Sequence, residues 1–314
     1  MIYKAVCAVL TIGVLGVGGL CGASEVLHHQ IEAQLDPEGR AIQVADTLRL
    51  DPAVAADADG AYRFVLHAGL TPEVITPGWR LERLEGPVEA GFFGINATTE
   101  TVSENVPLEA FLLIPEKSGG ETVEIRYGGE IHHELATQGE EYQRSFSETP
   151  GIIDQRGVFL AGASFWVPTF GDGLLTFELE VGGLEEPWDV VSQGRRLRHA
   201  TDSSGKVSTT WRLTHPTEEI YLVAGPWHEY SRQAGKVEVF AFLRSADPTL
   251  AQRYLDATAR YLKLYESMLP PFPYASFALV ENFWETGYGM PGFTLLGPRV
   301  IRCLLYTSPS PRDS

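Results

Sequence analysis

Apolar and polar residues alternate with a period of two through much of the first 244 residues. Runs of this kind begin at Ala41, Ala61, Glu121, Leu174 and Val207. Such alternation, broken by turns rich in glycine, proline and aspartate, is typical of half-buried strands in antiparallel sheets. The pattern predicts a mainly β N-terminal domain over residues 24–244, an antiparallel sandwich or saddle of two sheets.

The period changes near Asp247, which is a good helix N-cap and is followed by Pro248, a residue suited to the first helical position. Apolar and aromatic residues then recur at spacings of three, four and seven, at Leu250, Tyr254, Tyr261, Tyr265 and Met268. This spacing predicts an amphipathic helix whose aromatic stripe is packed, and which Pro270 ends. We expect this helix to lead into a second domain of the α/β (α+β) type over residues 245–302.

The stretch from Ala278 to Leu296 holds the densest candidate chemistry. Phe277 to Val280 has the length and apolar character of a buried strand, and Glu281 and Asn282 follow at its end. Glycines and aromatic residues then alternate, an arrangement that lets a backbone approach a ligand closely. The residues alone fit either the edge of a binding cleft or a glycine-rich surface loop with aromatic anchors.

From Leu250 to Leu296 the order of features resembles the alanyl-aminopeptidase family of zinc metallopeptidases, the gluzincins. In that family a helix, a PYP-like turn and a strand precede a GxMEN loop that binds the peptide backbone. The turn here is 270–274, and the loop is Gly287-Tyr288-Gly289-Met290. The resemblance implies that residues 245–302 begin a thermolysin-like catalytic domain.

One position departs from the family motif, because Met290 is followed by Pro291 and Gly292 where the family has Glu and Asn. The family Glu binds the free amino terminus of the substrate. Glu281 or Glu285 is the candidate for that role here, with Glu281 preferred. Gly289 and Met290 are the candidates for hydrogen bonds to the substrate main chain.

The resemblance further implies a Zn²⁺ cofactor held by HExxH and a more distant Glu. The nearest approach to that motif is His132-His133-Glu134, which fails because Thr137 stands at the second ligand position. We therefore predict no metal ligand or catalytic residue within this chain. His28 and His29 are expected to be exposed. His199, His215 and His228 are scattered without ligand spacing, and Trp166 is expected to lie in a core strand.

The net charge and the two ends of the chain indicate which partners and which cellular compartment to expect. A net charge of −17 argues against nucleic acid, and the densest basic cluster, 195–198, is interpreted as a solvated turn. Residues 1–23 have the charged, apolar and small-residue regions of a signal peptide, which predicts export to the periplasm or beyond, without stable membrane insertion. Residues 303–314 lose all pattern and are predicted to be a non-native tail.

The resulting hypothesis is the N-terminal part of an exported, aminopeptidase-like zinc metallopeptidase that acts on peptides. This chain by itself is not expected to be active. A secreted β-sandwich binding module with an inactive peptidase-like domain is the alternative, and a structural scaffold that assembles through its β domain is a third. The residues that follow Arg302 in the gene would distinguish an enzyme from a binding module.

Overall fold

A computed structural model describes residues 26–50, 60–86, 88, 106–116, 121–137, 147–171 and 173–303. The predicted signal peptide lies outside the described residues, as does the predicted tail after Cys303. Among the described residues, no helix combines the length and the apolar character that spanning a membrane requires.

The described part of the chain is built mostly from strands. In chain order they are β1 (Val26–Asp36), β2 (Ala41–Arg49), β3 (Tyr62–His67), β4 (Glu73–Val74), β5 (Trp79–Arg83), β6 (Leu108–Pro115), β7 (Thr122–Glu130), β8 (Ala136–Thr137), β9 (Ser147–Glu148), β10 (Gly151–Asp154), β11 (Gly157–Leu160), β12 (Leu174–Glu185), β13 (Trp188–Val191), β14 (Arg195–Thr201), β15 (Lys206–Thr217), β16 (Leu222–Pro226), β17 (His228–Ala234), β18 (Val237–Leu243), β19 (Ser276–Glu281), β20 (Gly287–Met290) and β21 (Phe293–Leu296). The two helices are α1 (Pro248–Glu266) and α2 (Pro298–Cys303).

The largest sheet has seven strands in the order β14-β15-β12-β1-β2-β7-β4. Its pairings are antiparallel except for the long parallel pair of β1 with β12. A three-stranded sheet (β3-β6-β5) and a four-stranded sheet (β10-β11-β16-β13) share one apolar core with it. The long strands of the seven-stranded sheet bury alternate residues, as β2 does with Ile42, Val44 and Leu48, whereas a short central strand such as β11 is buried throughout. The predicted mainly β fold is confirmed.

A five-stranded sheet in the order β17-β18-β19-β21-β20 forms the next layer. One face, with Phe240, Val280 and Leu295, packs on the four-stranded sheet. The opposite face, with Val239 and Leu279, packs on α1. Because β18 and β19 pair directly, this sheet takes strands from both sides of the boundary predicted near residue 244. That boundary itself stays a prediction.

Helix α1 begins as the sequence predicts. The Asp247 side chain accepts a hydrogen bond from the Leu250 backbone N–H at 2.8 Å, and Pro248 occupies the first turn. The predicted stripe is packed only in the first half of the helix, where Tyr254 is buried. Tyr261, Tyr265 and the following Met268 are more than half exposed.

Three predictions about polar and aromatic residues met different outcomes. Trp166 is buried, as expected, and donates its Nε1–H to the Ile220 carbonyl, but it follows a short 3-10 helix (Gly162–Ser164) and does not lie in a strand. The exposure expected for His29 is wrong: it lies on the core face of β1 and contacts the buried Asp46 carboxylate at 2.7 Å. The turn expected at 195–198 is also wrong, because these residues belong to β14, which pairs with β15. Their expected exposure holds for Arg195, Leu197 and Arg198 but not for the half-buried Arg196.

Candidate functional site

The glycine-rich stretch forms a β-hairpin at one edge of the five-stranded sheet. Strand β20 pairs antiparallel with β21, and Pro291 and Gly292 make the turn between them. Gly292 has φ of 84°, which a residue with a side chain adopts only with strain, and Pro followed by Gly suits a type II turn. In the part of the chain that the structure describes, no strand pairs with the outer side of β20.

The register of this hairpin determines which backbone groups face outward. The Gly297 N–H donates to the Thr286 carbonyl at 2.8 Å, so this pair is hydrogen bonded across the two strands. Because hydrogen-bonded and non-hydrogen-bonded pairs alternate in an antiparallel ladder, the backbone groups of Gly287 and Gly289 point away from β21. Both glycines are exposed, and the space where a Gly289 side chain would begin is open. The free edge therefore presents bare backbone at these two residues.

The alternate residues of β20 hold the hairpin onto the β domain. Tyr288 stacks on Phe159 with ring centroids 6.0 Å apart, and Met290 packs on the same cluster. Burial raises the pKa of Tyr288 to about 12; a hydrogen bond with Thr286 opposes this change, and the Glu148 carboxylate adds to it. The phenol is therefore neutral at physiological pH and serves as packing.

Glu281, the preferred candidate for the substrate amino terminus, lies at the end of β19 and is only 2% exposed. Its carboxylate accepts a hydrogen bond from the Arg244 backbone N–H at 2.8 Å and lies 3.8 Å from the Arg302 guanidinium. Its carbonyl accepts the Nε1–H of Trp227 at 2.8 Å. These contacts join the ends of β18 and β19, so the carboxylate already has a structural partner.

Glu285 is also engaged. Its two carboxylate oxygens lie 3.1 and 3.3 Å from the Arg299 backbone N–H, in the first turn of α2. The Arg299 side chain lies 3.6 Å away. The carboxylate thus satisfies a donor at the start of α2 that has no partner within the helix. A role for Glu281 or Glu285 in binding an amino terminus stays a prediction.

Of the four predicted site residues, Gly289 lies on the free edge and Met290 lies beside the turn, opposite Phe293. Gly287 was not among the predicted site residues, although it precedes Gly289 by two residues and faces the same edge. The two-residue period of a strand was the available signal for Gly287. Using it required knowing that 287–290 is a strand and not a loop.

One group of three potential metal ligands occurs among the described residues, made by Asp189, His199 and Glu229. The Arg196 guanidinium lies within it, bonded to both Glu229 oxygens at 2.6 and 2.7 Å and stacked 4.5 Å from the Phe240 ring. A cation thus already neutralises Glu229, and the group does not fit a catalytic Zn²⁺, which needs three protein ligands and an open position.

The two carboxylates of this group have opposite pKa shifts. Burial, to which the Glu229 charge adds, raises the pKa of Asp189 to about 6, although His199 and Arg196 oppose the rise. Burial also acts to raise the pKa of Glu229, but its hydrogen bonds and ion pair with Arg196 hold it below the usual value. These shifts describe an ion-pair network where β13, β14 and β17 meet.

The histidines of the failed HExxH look-alike are engaged in the β domain. His133 Nε2 lies 2.9 Å from His67 Nε2, and His132 Nδ1 lies 3.2 Å from the Ile153 carbonyl oxygen. Burial, with a smaller contribution from His133, lowers the pKa of His67 to about 4. Since the Gly69 N–H donates to His67 Nδ1, the His67 proton sits on Nε2 and faces His133.

Comparison with known proteins shows which solved structures have a similar fold. No family model matches the sequence, and no curated protein matches it. An M1 zinc metallopeptidase from Deinococcus radiodurans matches with a TM-score of 0.56 and 15% identity, over 87% of this chain and 60% of that chain. A mutant two-domain M1 zinc metallopeptidase bound to L-arginine matches with a TM-score of 0.55 and 14% identity, over the same shares of the two chains. Native yeast LTA4 hydrolase matches with a TM-score of 0.54 and 14% identity, over 88% of this chain and 41% of that chain.

The chain shares its fold with M1 zinc metallopeptidases. At 14–15% identity this likeness concerns the fold alone. The mainly β fold expected from the sequence is one that these proteins share. The chain spans 60% of the length of the Deinococcus radiodurans protein and 41% of the length of the yeast protein.

Proposed function

We propose that this chain is the N-terminal part of an exported zinc metallopeptidase of the aminopeptidase type, which hydrolyses peptide bonds. The observation that carries the proposal is the exposed glycine edge of β20. It lies where the resemblance puts the peptide-binding loop, in a fold shared with M1 zinc metallopeptidases.

In this proposal the substrate adds to the five-stranded sheet as a further strand. The outward N–H and C=O groups of Gly287 and Gly289 hydrogen bond to its main chain, and the absence of side chains lets it approach. Tyr288 and Met290 hold the strand flat against the β domain from the other face. The Zn²⁺ and its ligands are proposed for the longer protein, since the described residues do not fit them.

The surface of α1 supports a longer protein. Its exposed second half and the segment after it carry five large apolar residues, each more than half exposed: Tyr261, Leu264, Tyr265, Met268 and Leu269. Three of them, Tyr261, Tyr265 and Leu269, border a cavity of about 500 Å³ that reaches Phe272 and Phe277. Contiguous exposed apolar surface of this kind usually marks an interface. We propose that further catalytic-domain chain covers it.

The test is to isolate the gene beyond Arg302 and purify its full product. We expect an HExxH sequence and a more distant Glu, about one zinc per chain by elemental analysis, and release of amino acids or short peptides from peptide substrates. The matched control is the 314-residue chain, which should hydrolyse none of them. A zinc-loaded full product without peptide hydrolysis would contradict the enzyme proposal.

A second candidate is a secreted binding module with an inactive peptidase-like domain. It is favoured by the engagement of both Glu281 and Glu285 in structural contacts, together with Pro291 at the position of the family Glu. In that case the downstream sequence would lack the zinc ligands, and peptides would bind to the β20 edge without turnover.

Export is proposed from residues 1–23, which lie outside the described residues. A fusion of this segment to a reporter that is active only after export should give signal, and replacing Lys4 and the apolar run should abolish it. Retention of the reporter inside the cell would contradict this part of the proposal.

A further inference from the structure

One end of the β20 edge is already occupied by the β domain. The Ser147 N–H in β9 donates to the Glu285 carbonyl at 3.1 Å, and the Ser147 carbonyl accepts the Nε1–H of Trp284 at 2.9 Å. Glu285 lies just before β20, where the Thr286 carbonyl still accepts the Gly297 N–H on the β21 side. The Glu285 carbonyl, which accepts the Ser147 N–H, therefore lies on the outer side of the hairpin, as the backbone groups of Gly287 and Gly289 do. Ser147 therefore fills the first position in the row of outward-facing backbone groups.

The position of Ser147 is fixed by buried contacts on both sides. The Trp284 ring is 6% exposed and packs edge-on against Phe159, with centroids 5.5 Å apart. Just after β9, the Thr149 hydroxyl lies within hydrogen-bond distance of the His133 carbonyl, at 3.0 Å, and of the Gly151 carbonyl, at 3.2 Å. Displacing Ser147 would break these bonds within packed surroundings.

The other end of the edge is set by Pro291, which has no N–H to donate. Between Ser147 and Pro291, in the described chain, only Gly287 and Gly289 have outward-facing backbone groups. The free edge thus offers two donors and two acceptors.

We propose that β9 is an end stop for the peptide-binding edge. An extended peptide pairs with Gly287 and Gly289, and its chain cannot continue along the sheet past Ser147. This inference rests on the proposed function and makes it more specific. The full-length enzyme cleaves at a fixed number of residues from one end of the peptide, and that number is set by the shape of the edge and not by the carboxylates of Glu281 or Glu285.

The first test uses the full-length protein and a series of peptides that share one sequence and are extended by single residues at either end. Mass spectrometry of the products should show, for the wild type, one dominant cleaved bond at a constant distance from the same end. Trp284→Phe keeps an aromatic ring, though a smaller one, and loses the bond to Ser147; we expect it to raise cleavage at other bonds about tenfold.

Trp227→Phe is the matched control. It removes a similar Nε1–H bond, to the Glu281 carbonyl, from a ring that is also 6% exposed. This variant should keep the wild-type cleavage position. Wild-type cleavage spread over many bonds would overturn the end stop, and so would an unchanged pattern in Trp284→Phe.

The second test does not depend on hydrolysis and uses amide hydrogen exchange in the 314-residue chain. The Ser147 amide should exchange slowly in the wild type and in Trp227→Phe, and about tenfold faster in Trp284→Phe. Fast exchange of Ser147 in the wild type would overturn the end stop even if the enzyme proposal holds. Absence of hydrolysis by the full product, with Ser147 protected, would count against the enzyme proposal alone.

Discussion

The five-stranded sheet has two edge strands, β17 and β20, and they differ in the side chains that protect them from pairing with another chain. Strand β17 is seven residues long and carries charged side chains, whereas β20 is four residues long and has glycine at each outward position. Both strands close hairpins with two-residue turns, at 235–236 and 291–292. Their backbone geometry is therefore similar, and the difference lies in the side chains.

The β17 edge is protected by ion pairs. Glu229 binds the Arg196 guanidinium of β14 through both oxygens, and Arg232 pairs with Asp256 on α1. Charged residues of this kind prevent an edge strand from pairing with another chain. In the part of the chain that the structure describes, no charged side chain protects the β20 edge at Gly287 and Gly289, as the proposed pairing with a peptide requires.

The largest expected effect is a loss of stability when the ion pair between Glu229 of β17 and Arg196 is removed. Glu229→Ala leaves the Arg196 guanidinium, whose side chain is only 13% exposed, without its two-bond partner. We expect the free energy of unfolding to fall by about 3 kcal/mol, because the guanidinium loses two charge-assisted hydrogen bonds and keeps only the Asp189 carboxylate, 3.7 Å away. Urea unfolding followed by circular dichroism measures this loss.

Ser231→Ala is the control, since Ser231 is exposed on the same strand and should change stability by less than about 0.5 kcal/mol. A loss in Glu229→Ala no greater than that would show that the ion pair contributes little.

The next largest expected effect is a pH-dependent change in the free energy of unfolding, caused by Asp189 in the same ion-pair network. Because burial raises the pKa of Asp189 to about 6 from 3.8, the folded state favours the protonated carboxyl. The stability that this group contributes is present below pH 4 and is lost as pH rises to about 6. Asp189→Asn resembles the protonated form, so its stability relative to the wild type should increase by about 2 kcal/mol between pH 4 and pH 7.

Urea unfolding of both proteins at several pH values gives this difference directly. The other groups that face Asp189, namely Arg196, His199 and Glu229, are the same in both proteins. A difference that stays constant or falls with pH would contradict the raised pKa.

A smaller effect is expected from closing the open edge. Gly289→Pro removes one outward N–H at a position with open space, and should weaken peptide binding about tenfold while the protein stays folded. Ser231→Pro removes the corresponding outward N–H from the β17 edge and should leave binding unchanged. Equal effects of the two substitutions, measured by calorimetric titration with a peptide, would place the binding site elsewhere.

Local sequence signals predicted the elements well. Asp247 and Pro248 marked the start of α1, and alternation marked β2, β3, β7, β12 and β15, because these signals depend on neighbouring residues. The burial of His29 was missed because two adjacent histidines looked polar, although the period of β1 turns only one of them into the core. The strand position of Arg196 was missed because its partners, Glu229 and Phe240, lie more than thirty residues away.

The candidate site was also predicted only in part, because several of its contacts join residues that are far apart in the sequence. Gly289 was found from the glycine pattern, whereas the outward direction of Gly287 required the hairpin register. The engagement of Glu281 and Glu285 depends on the Arg244 and Arg299 backbone N–H groups, and no sequence spacing indicates those bonds. The occupation of the edge by Ser147 comes from a strand more than 130 residues earlier in the chain.

The most direct test of the central claim is amide hydrogen exchange at Gly287 and Gly289, measured in the 314-residue chain with and without a saturating extended peptide. We predict that both amides exchange fast in the free protein and become protected when peptide is added, while Ser231 on the β17 edge does not change. Unchanged exchange at both glycines in the presence of a bound peptide would contradict it.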